Sequence, residues 1–255
     1  MQKSTLLAVT LVSAAACSST SPSNDSPKLR EDYDDTAQAI ASATVADGHG
    51  GDVAAMSDSA SIALGVLPLG FVLDANGEIH GNRFGVMYSY HLSCEDAQGS
   101  SLPSCGPLTN HADVDVAWQG NLELPNISAA VSREGSWTLD GLQSDTAVFD
   151  GDSSFSFDAT LRSIFRPGAT ASLSIDTDAS YQAVAVSTQT HDAIAGSASL
   201  DADVHKVVTG TDHDVDKSCS VHAEIESHAD RTATLVLDDD QTYRIDLATG
   251  AVVRL

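Results

Sequence analysis

The sequence predicts a mainly β protein, with one large curved antiparallel sheet or a two-layer sandwich of about 10–12 strands and two short N-terminal helices. Beyond residue 70, polar and apolar side chains alternate with a period of two, as in "IAGSASLDADV" at residues 194–204. This period is typical of strands with one dry and one wet face. The strand-like runs recur roughly every 10–15 residues without helical patterns between them, which favours antiparallel neighbours over parallel ones.

The first 16 residues are expected to be a signal peptide. A short basic start is followed by the apolar run Leu6–Val12 and then by the small residues Ala14–Ala16, which is the order found in exported proteins. Seven apolar residues are too few to cross a bilayer as a helix, which takes roughly 20.

Cys17 directly follows these small residues. The arrangement resembles the lipobox of bacterial lipoproteins, with Ala14 where that family more often has leucine. The resemblance implies that Cys17 is the lipid-anchored first residue of the mature chain, carrying acyl groups such as palmitate. Ser18 resembles the sorting position for the outer membrane, so the expected location is the cell envelope, with a membrane contact through the lipid. The alternative is an ordinary secretory signal with an incidental cysteine.

Residues 17–33 are predicted to be the lipid anchor followed by a disordered tether. Residues 18–33 are rich in Ser, Pro and charged side chains and show no periodicity, so they offer little apolar surface to bury. Residues 34–255 are then expected to form a single β-rich domain.

Two helices are predicted within residues 34–66. Asp35 is placed to cap the first helix, with Gln38 three residues later as in a capping box. In the second helix, Val53 and Met56 recur at helical spacing. The glycine-rich stretch between the two patterns is interpreted as a turn.

Residues 70–255 are predicted to be antiparallel strands. The pair Asn76-Gly77 is a strong hairpin signal. The stretch "FDGDSSF" at residues 149–155 resembles the D-x-D-x-[ST] motif of aspartyl-phosphate enzymes but lies between alternating runs, so it is interpreted as a hairpin turn. Many dry positions are Ala or Gly, which favours a filled core over an open ligand groove.

The cysteines indicate one disulfide. Cys94 and Cys105 bracket a Gly/Ser/Pro-rich loop between two strand-like runs, and an exported location permits their oxidation. Closing this loop is expected to stabilise the fold by about 2–3 kcal/mol. Cys219 falls on the dry parity of its strand and is predicted to be a buried free thiol.

The formal net charge of −24 disfavours a nucleic-acid partner, because phosphate binding needs clustered Lys and Arg. The acidic residues are spread along the chain, as expected of a solvated surface or of a surface that binds cations or basic partners.

One predicted hairpin carries a pattern of potential metal ligands. His205 and His222 are expected nearly opposite each other on the wet face, with Glu224 and Asp203 beside them. Such a group is suited to weak binding of zinc or copper. The alternative is that both histidines are solvated surface residues.

No nucleophile elbow, zinc-protease motif, P-loop or dinucleotide fingerprint occurs in the sequence. We therefore expect a non-enzymatic envelope lipoprotein without a cofactor, acting as an interaction or structural module, with an envelope protein as one kind of partner. The alternative is a periplasmic binder or carrier of an apolar ligand such as a lipid or the acyl chains of lipoproteins.

Overall fold

A computed structural model describes residues 27–44, 51–75, 77–83, 85–124, 126–163, 168–188, 193–210 and 214–255. These residues form a mainly β structure with two helices near the N-terminus. The elements are α1 (Pro27–Thr44), α2 (Asp52–Ala63), β1 (Phe71–Leu73), β2 (Ile79–Arg83), β3 (Val86–Glu95), β4 (His111–Leu124), β5 (Ile127–Asp140), β6 (Thr146–Arg162), β7 (Thr170–Ser187), β8 (Ala193–Thr209), β9 (Val215–Ser227), β10 (Thr232–Leu237), β11 (Gln241–Asp246) and β12 (Val252–Arg254).

All twelve strands belong to one open sheet, in which every strand pairs antiparallel with its neighbours in sequence. An order from β1 to β12 without crossovers needs only short connections, as the spacing of the strand-like runs predicts. The prediction of a large antiparallel sheet with about 10–12 strands is confirmed. The single sheet, not the two-layer sandwich, is the form that the chain adopts.

The strands are longest in the middle of the sheet and shortest at its edges. β6, β7 and β8 have 17, 18 and 17 residues, whereas β1 and β12 have three each. Very short edge strands leave few unpaired backbone groups, which limits pairing with other chains.

One face of the sheet, called the dry face here, packs against both helices. Trp137, Phe149 and Leu235 point from the sheet into this core, and Ile40 and Met56 point into it from α1 and α2. α1 packs on β10–β12, while α2 packs on β3, β4 and β6. The opposite face, called the wet face, carries the polar half of each alternating strand.

α1 begins at Pro27, eight residues before its predicted cap Asp35. The predicted disordered tether is therefore wrong for residues 27–33, which are helical, and residues 17–26 lie outside the described part of the chain. Proline is favoured in the first turn of a helix because it needs no backbone N–H there. Long-range contacts hold the helix: Tyr33 Oη donates to Asp238 at 2.9 Å, and Tyr243 Oη donates to Asp34 at 2.9 Å. The composition of the sequence around α1 does not indicate these contacts, because the partner residues are more than 200 positions away.

The stretch at residues 149–155 is not a turn, so that prediction is wrong. β6 continues through it, and the register with β7 shifts between Phe149 and Gly151, which marks a β-bulge. Gly151 has a φ of +146°, and a Cβ atom there would collide with the carbonyl oxygen of Ser136. The extra residue belongs to β7, where Gln182 and Ala183 lie opposite the single residue Asp150. The small and polar residues of β6 therefore lie beside a bulge of the neighbouring strand, and a turn would favour the same residue types.

Candidate functional site

The strand register aligns the wet-face side chains into rows that run across the sheet. Two adjacent rows cross the middle of this face and are rich in carboxylates and hydroxyls. One row contains His80, Ser89, Ala117, Glu134, Ser154, Asp178, Asp201 and His222. The next row contains His91, Asp115, Ser136, Asp152, Ser180, Ser199 and Glu224.

These rows form the floor of a groove of about 760 Å³ that spans β2–β8. We call it the acidic groove. None of the described residues that line it is Lys or Arg. Its carboxylates are those of Glu78, Asp115, Glu134, Asp152, Asp178 and Asp201, and its imidazoles are those of His80 and His91.

Each of the strands β4–β8 contributes one carboxylate to the acidic groove. Asp115, Glu134, Asp152 and Asp178 alternate between the two rows, so these carboxylates on adjacent strands are diagonal neighbours, roughly 7–8 Å apart. Asp178 and Asp201 lie directly opposite each other in the ladder, an arrangement of like charges that is unfavourable by itself. Aligned charges of one sign in a concave surface concentrate cations from solution.

An ion pair lies at the β9 end of the row that begins with His80. The Nδ1 atom of His222 lies 2.8 Å from Asp201 Oδ1. The hydrogen bond to Asp201 is the largest cause that raises the pKa of His222 above its usual value. His222 therefore offsets the charge of one groove carboxylate at mildly acidic pH.

The predicted juxtaposition of His205 and His222 is wrong. The register of β8 and β9 puts His222 opposite Asp201 and His205 opposite Ser218. The two levels are four strand residues apart, or about 13 Å. His205 instead lies 2.9 Å from Asp216, and Glu224 lies opposite Ser199. The error arose because a hairpin's register depends on its turn centre, which the polar loop sequence does not fix.

A different group of potential metal ligands lies at the end of the acidic groove, around the β1–β2 hairpin. His80 Nε2 lies 3.6 Å from Asp74 Oδ2 and 3.3 Å from Glu78 Oε2. The three donor atoms lie within 4.8 Å of one another. The sequence analysis missed this group, although the hairpin signal at Gly77 implies that Asp74 and Glu78 face each other across the turn.

The cysteine predictions have two outcomes. Cys94 and Cys105 form a disulfide, with an S–S distance of 1.98 Å and a Cα–Cα distance of 5.3 Å, so that prediction is confirmed. Cys219 is also disulfide-bonded, so the prediction of a free thiol is wrong. The predicted lipid-anchor residue Cys17 lies outside the described residues.

A buried charged cluster on the dry face joins α2 to the sheet. Arg133 Nη1 donates to Asp52 Oδ1 at 2.6 Å, and Tyr181 Oη donates to the other oxygen of Asp52. The guanidinium carbon lies 5.2 Å from the ring centroid of Trp118 and 4.9 Å from that of Phe155. Burial raises the pKa of Tyr181 well above its usual value. The cluster fixes the start of α2 against β5 and β7.

Comparison with known protein families, with curated proteins and with solved structures gives no match for this chain. Neither helix of the described residues combines the length and the apolar character needed to cross a membrane. The features of this chain that bear on its function are therefore the two faces of the sheet and the residues that line them.

Proposed function

We propose that this chain is a non-enzymatic lipoprotein of the bacterial outer membrane that acts as an interaction module. In this proposal, the acidic groove binds a basic segment of a partner protein in the envelope. The single observation that carries the proposal is a groove lined by six carboxylates without a described Lys or Arg among them.

The spacing of the groove charges supports an extended basic ligand. Five successive strands each present a carboxylate, and most of these carboxylates are diagonal neighbours about 7–8 Å apart. A peptide lying across the strands would place its Lys or Arg side chains within reach of several carboxylates at once. Arginine would gain most, because its guanidinium can donate two parallel hydrogen bonds to one carboxylate.

The side chains between the carboxylates support the same interpretation. Ser136, Ser154, Ser180 and Ser199 line the groove. Their hydroxyls both donate and accept hydrogen bonds, so they can satisfy the backbone groups of a bound peptide. Because serine is small, it also leaves the carboxylates accessible from solution.

The test of the groove uses a peptide of alternating Lys and Ser and its counterpart with Glu in place of Lys. Isothermal titration calorimetry on the full chain is expected to show binding of the basic peptide only, weakening as salt is raised. The variant with Glu134→Gln, Asp178→Asn and Asp201→Asn is expected to bind at least about tenfold more weakly, since each charge-assisted contact is typically stronger than a neutral one.

The matched control removes the same number of charges elsewhere. Asp158, Asp216 and Asp239 are exposed and lie outside the groove lining. Replacing all three by Asn is expected to change affinity by only about two- to threefold, because exposed charges are screened beyond roughly 10 Å. An equal loss in both triple variants would contradict a specific groove and leave only a diffuse charge effect.

The lipid anchor has its own test. A lipidated Cys17 carries its lipid on the sulfur atom, so it cannot also form a disulfide. Mass spectrometry of protein isolated from the native envelope is expected to give an acylated peptide starting at Cys17, and Cys17→Ser is expected to release the protein from membranes. A peptide that links Cys17 to Cys219 would contradict the anchor.

A second candidate function is the carriage of an apolar ligand, favoured by one region of the dry face. Beyond Arg133, the dry face of β5–β8 carries apolar side chains that are only half-buried. They are Ile127, Val131, Phe157, Leu161, Leu173, Ile175 and Val208. Native mass spectrometry would show a bound lipid if this surface carries one, whereas an unliganded mass would contradict this candidate.

A further inference from the structure

We infer that Asp74, Glu78 and His80 form a binding site for a divalent transition-metal ion of the class of Zn²⁺ at the end of the acidic groove. This inference does not depend on the proposed binding of a basic partner. It rests on a preformed set of three donor atoms, on the mixed nitrogen and oxygen character of that set, and on its place in the groove.

The β1–β2 hairpin holds the donors in place. The backbone N–H of Asp74 donates to the carbonyl of Glu78 at 2.8 Å, and the N–H of Glu78 donates to Asp74 Oδ1 at 2.9 Å. The second bond occupies one carboxylate oxygen of Asp74, while the other oxygen is the one near His80. Gly77 has a φ of +87°, the left-handed conformation that a tight turn requires.

The two distances from His80 to the carboxylate oxygens match those between ligands of a tetrahedral zinc ion, and all three donors lie within 4.8 Å of one another. Zn–N and Zn–O bonds of about 2.0–2.2 Å place adjacent ligands roughly 3.3–3.6 Å apart. The imidazole nitrogen of His80 lies 3.3 Å from the Glu78 oxygen and 3.6 Å from the Asp74 oxygen. An ion could therefore bind with little rearrangement, and water would fill the fourth position.

The donor types select the class of metal. One imidazole nitrogen and two carboxylate oxygens suit zinc and its neighbours in the first transition series. Calcium and magnesium take mainly oxygen ligands and larger or octahedral coordination shells. A site dependent on His80 should therefore discriminate zinc from calcium.

The surroundings of the group favour a cation. Glu78 and His80 both line the acidic groove, so the field of the other carboxylates acts on the same volume. The side chain of His80 is 44% exposed, and a hydrated ion can reach it from the groove. His91 lines the groove as well but is not part of the three-donor group, which makes it a matched control.

The experiment titrates Zn²⁺ into the full chain at fixed ionic strength, with calorimetry for affinity and histidine ring NMR for location. We expect one high-affinity zinc per chain with ring shifts at His80. His80→Ala and Asp74→Asn should each weaken zinc binding by about tenfold or more, as for the loss of groups that hold a metal. His91→Ala should retain it, and Ca²⁺ should not compete. Circular dichroism checks that every variant is folded.

Three outcomes would overturn the inference: no zinc binding to the unmodified chain, an equal loss in His91→Ala, or calcium binding that is as tight and unaffected by His80→Ala. The first would leave His80 as an ion-pair partner of the two carboxylates. The groove variant with Glu134→Gln, Asp178→Asn and Asp201→Asn keeps all three donors. This variant should lose peptide binding but still bind zinc, so the experiment distinguishes a failure of the zinc site from a failure of the peptide groove.

Discussion

The two faces of this sheet use charged side chains in opposite ways. On the dry face, Arg133 and Asp52 are buried, paired at 2.6 Å and enclosed by aromatic rings. On the wet face, the groove carboxylates are mostly exposed, and Asp178 lies opposite another acid. Charge on the dry face fixes one arrangement of helix and sheet. Charge on the wet face destabilises the sheet slightly but creates a field that can bind cations.

Removing one member of the buried pair should have the largest effect on stability. Arg133→Met or Asp52→Ala should lower the free energy of unfolding by about 3–5 kcal/mol, because an uncompensated charge stays buried. Urea unfolding followed by circular dichroism measures the change. The double variant with Arg133→Met and Asp52→Leu should recover much of the loss. A single variant that costs under about 1 kcal/mol would show that the pair does not hold α2 in place.

The disulfide should have the next largest effect. Cys94 is buried on the dry face, and replacing both Cys94 and Cys105 by Ala should cost about 2–3 kcal/mol of unfolding free energy. The same urea experiment measures it. Basic-peptide affinity should stay unchanged, because the groove lining does not include either cysteine. Loss of peptide binding would mean that the two faces are not independent.

Neutralising the wet face should act in the opposite direction on stability. The variant with Glu134→Gln, Asp178→Asn and Asp201→Asn should be as stable as the unmodified chain or more stable by roughly 0.5–1 kcal/mol, because like charges across a ladder repel. Urea unfolding at low salt measures it, at a pH above the raised pKa of His222, where the ion pair of His222 with Asp201 no longer contributes. Marked destabilisation would indicate that these carboxylates have structural partners.

The smallest expected effect is a shift in one titration. The pKa of His222 is raised, so its ion pair stabilises the fold fully below the usual value of about 6.5 and is lost as pH rises through the raised pKa. Asp201→Asn should return the pKa of His222 toward that usual value, as measured by NMR. The pKa of His111, raised by Asp140, serves as the internal control. A parallel shift of both histidines would mean that general field effects dominate.

The sequence predicted those features that depend on the local alternation of polar and apolar residues or on local composition. Alternation correctly assigned Leu200, Ala202 and Val204 to the dry face, and loop composition identified the Cys94–Cys105 disulfide. Residues that are close together in the sequence are sufficient to predict these features.

The features that the sequence did not predict depend on contacts between distant residues. Arg133 and Asp52 are 81 positions apart, so nothing near either residue indicates that they pair. The β8–β9 register decides whether His205 and His222 meet, and a shift of one or two positions at the turn changes the answer. The group at Asp74, Glu78 and His80 could have been predicted from the sequence, because its members lie on one hairpin.

The most direct test of two faces with separate tasks is an NMR titration of the full chain with the basic Lys-Ser peptide. The account predicts the largest shifts at Glu134, Asp178 and Asp201, with the dry-face core around Trp137 and Phe149 unaffected. No response, or shifts concentrated at acidic turns such as residues 238–240, would contradict it.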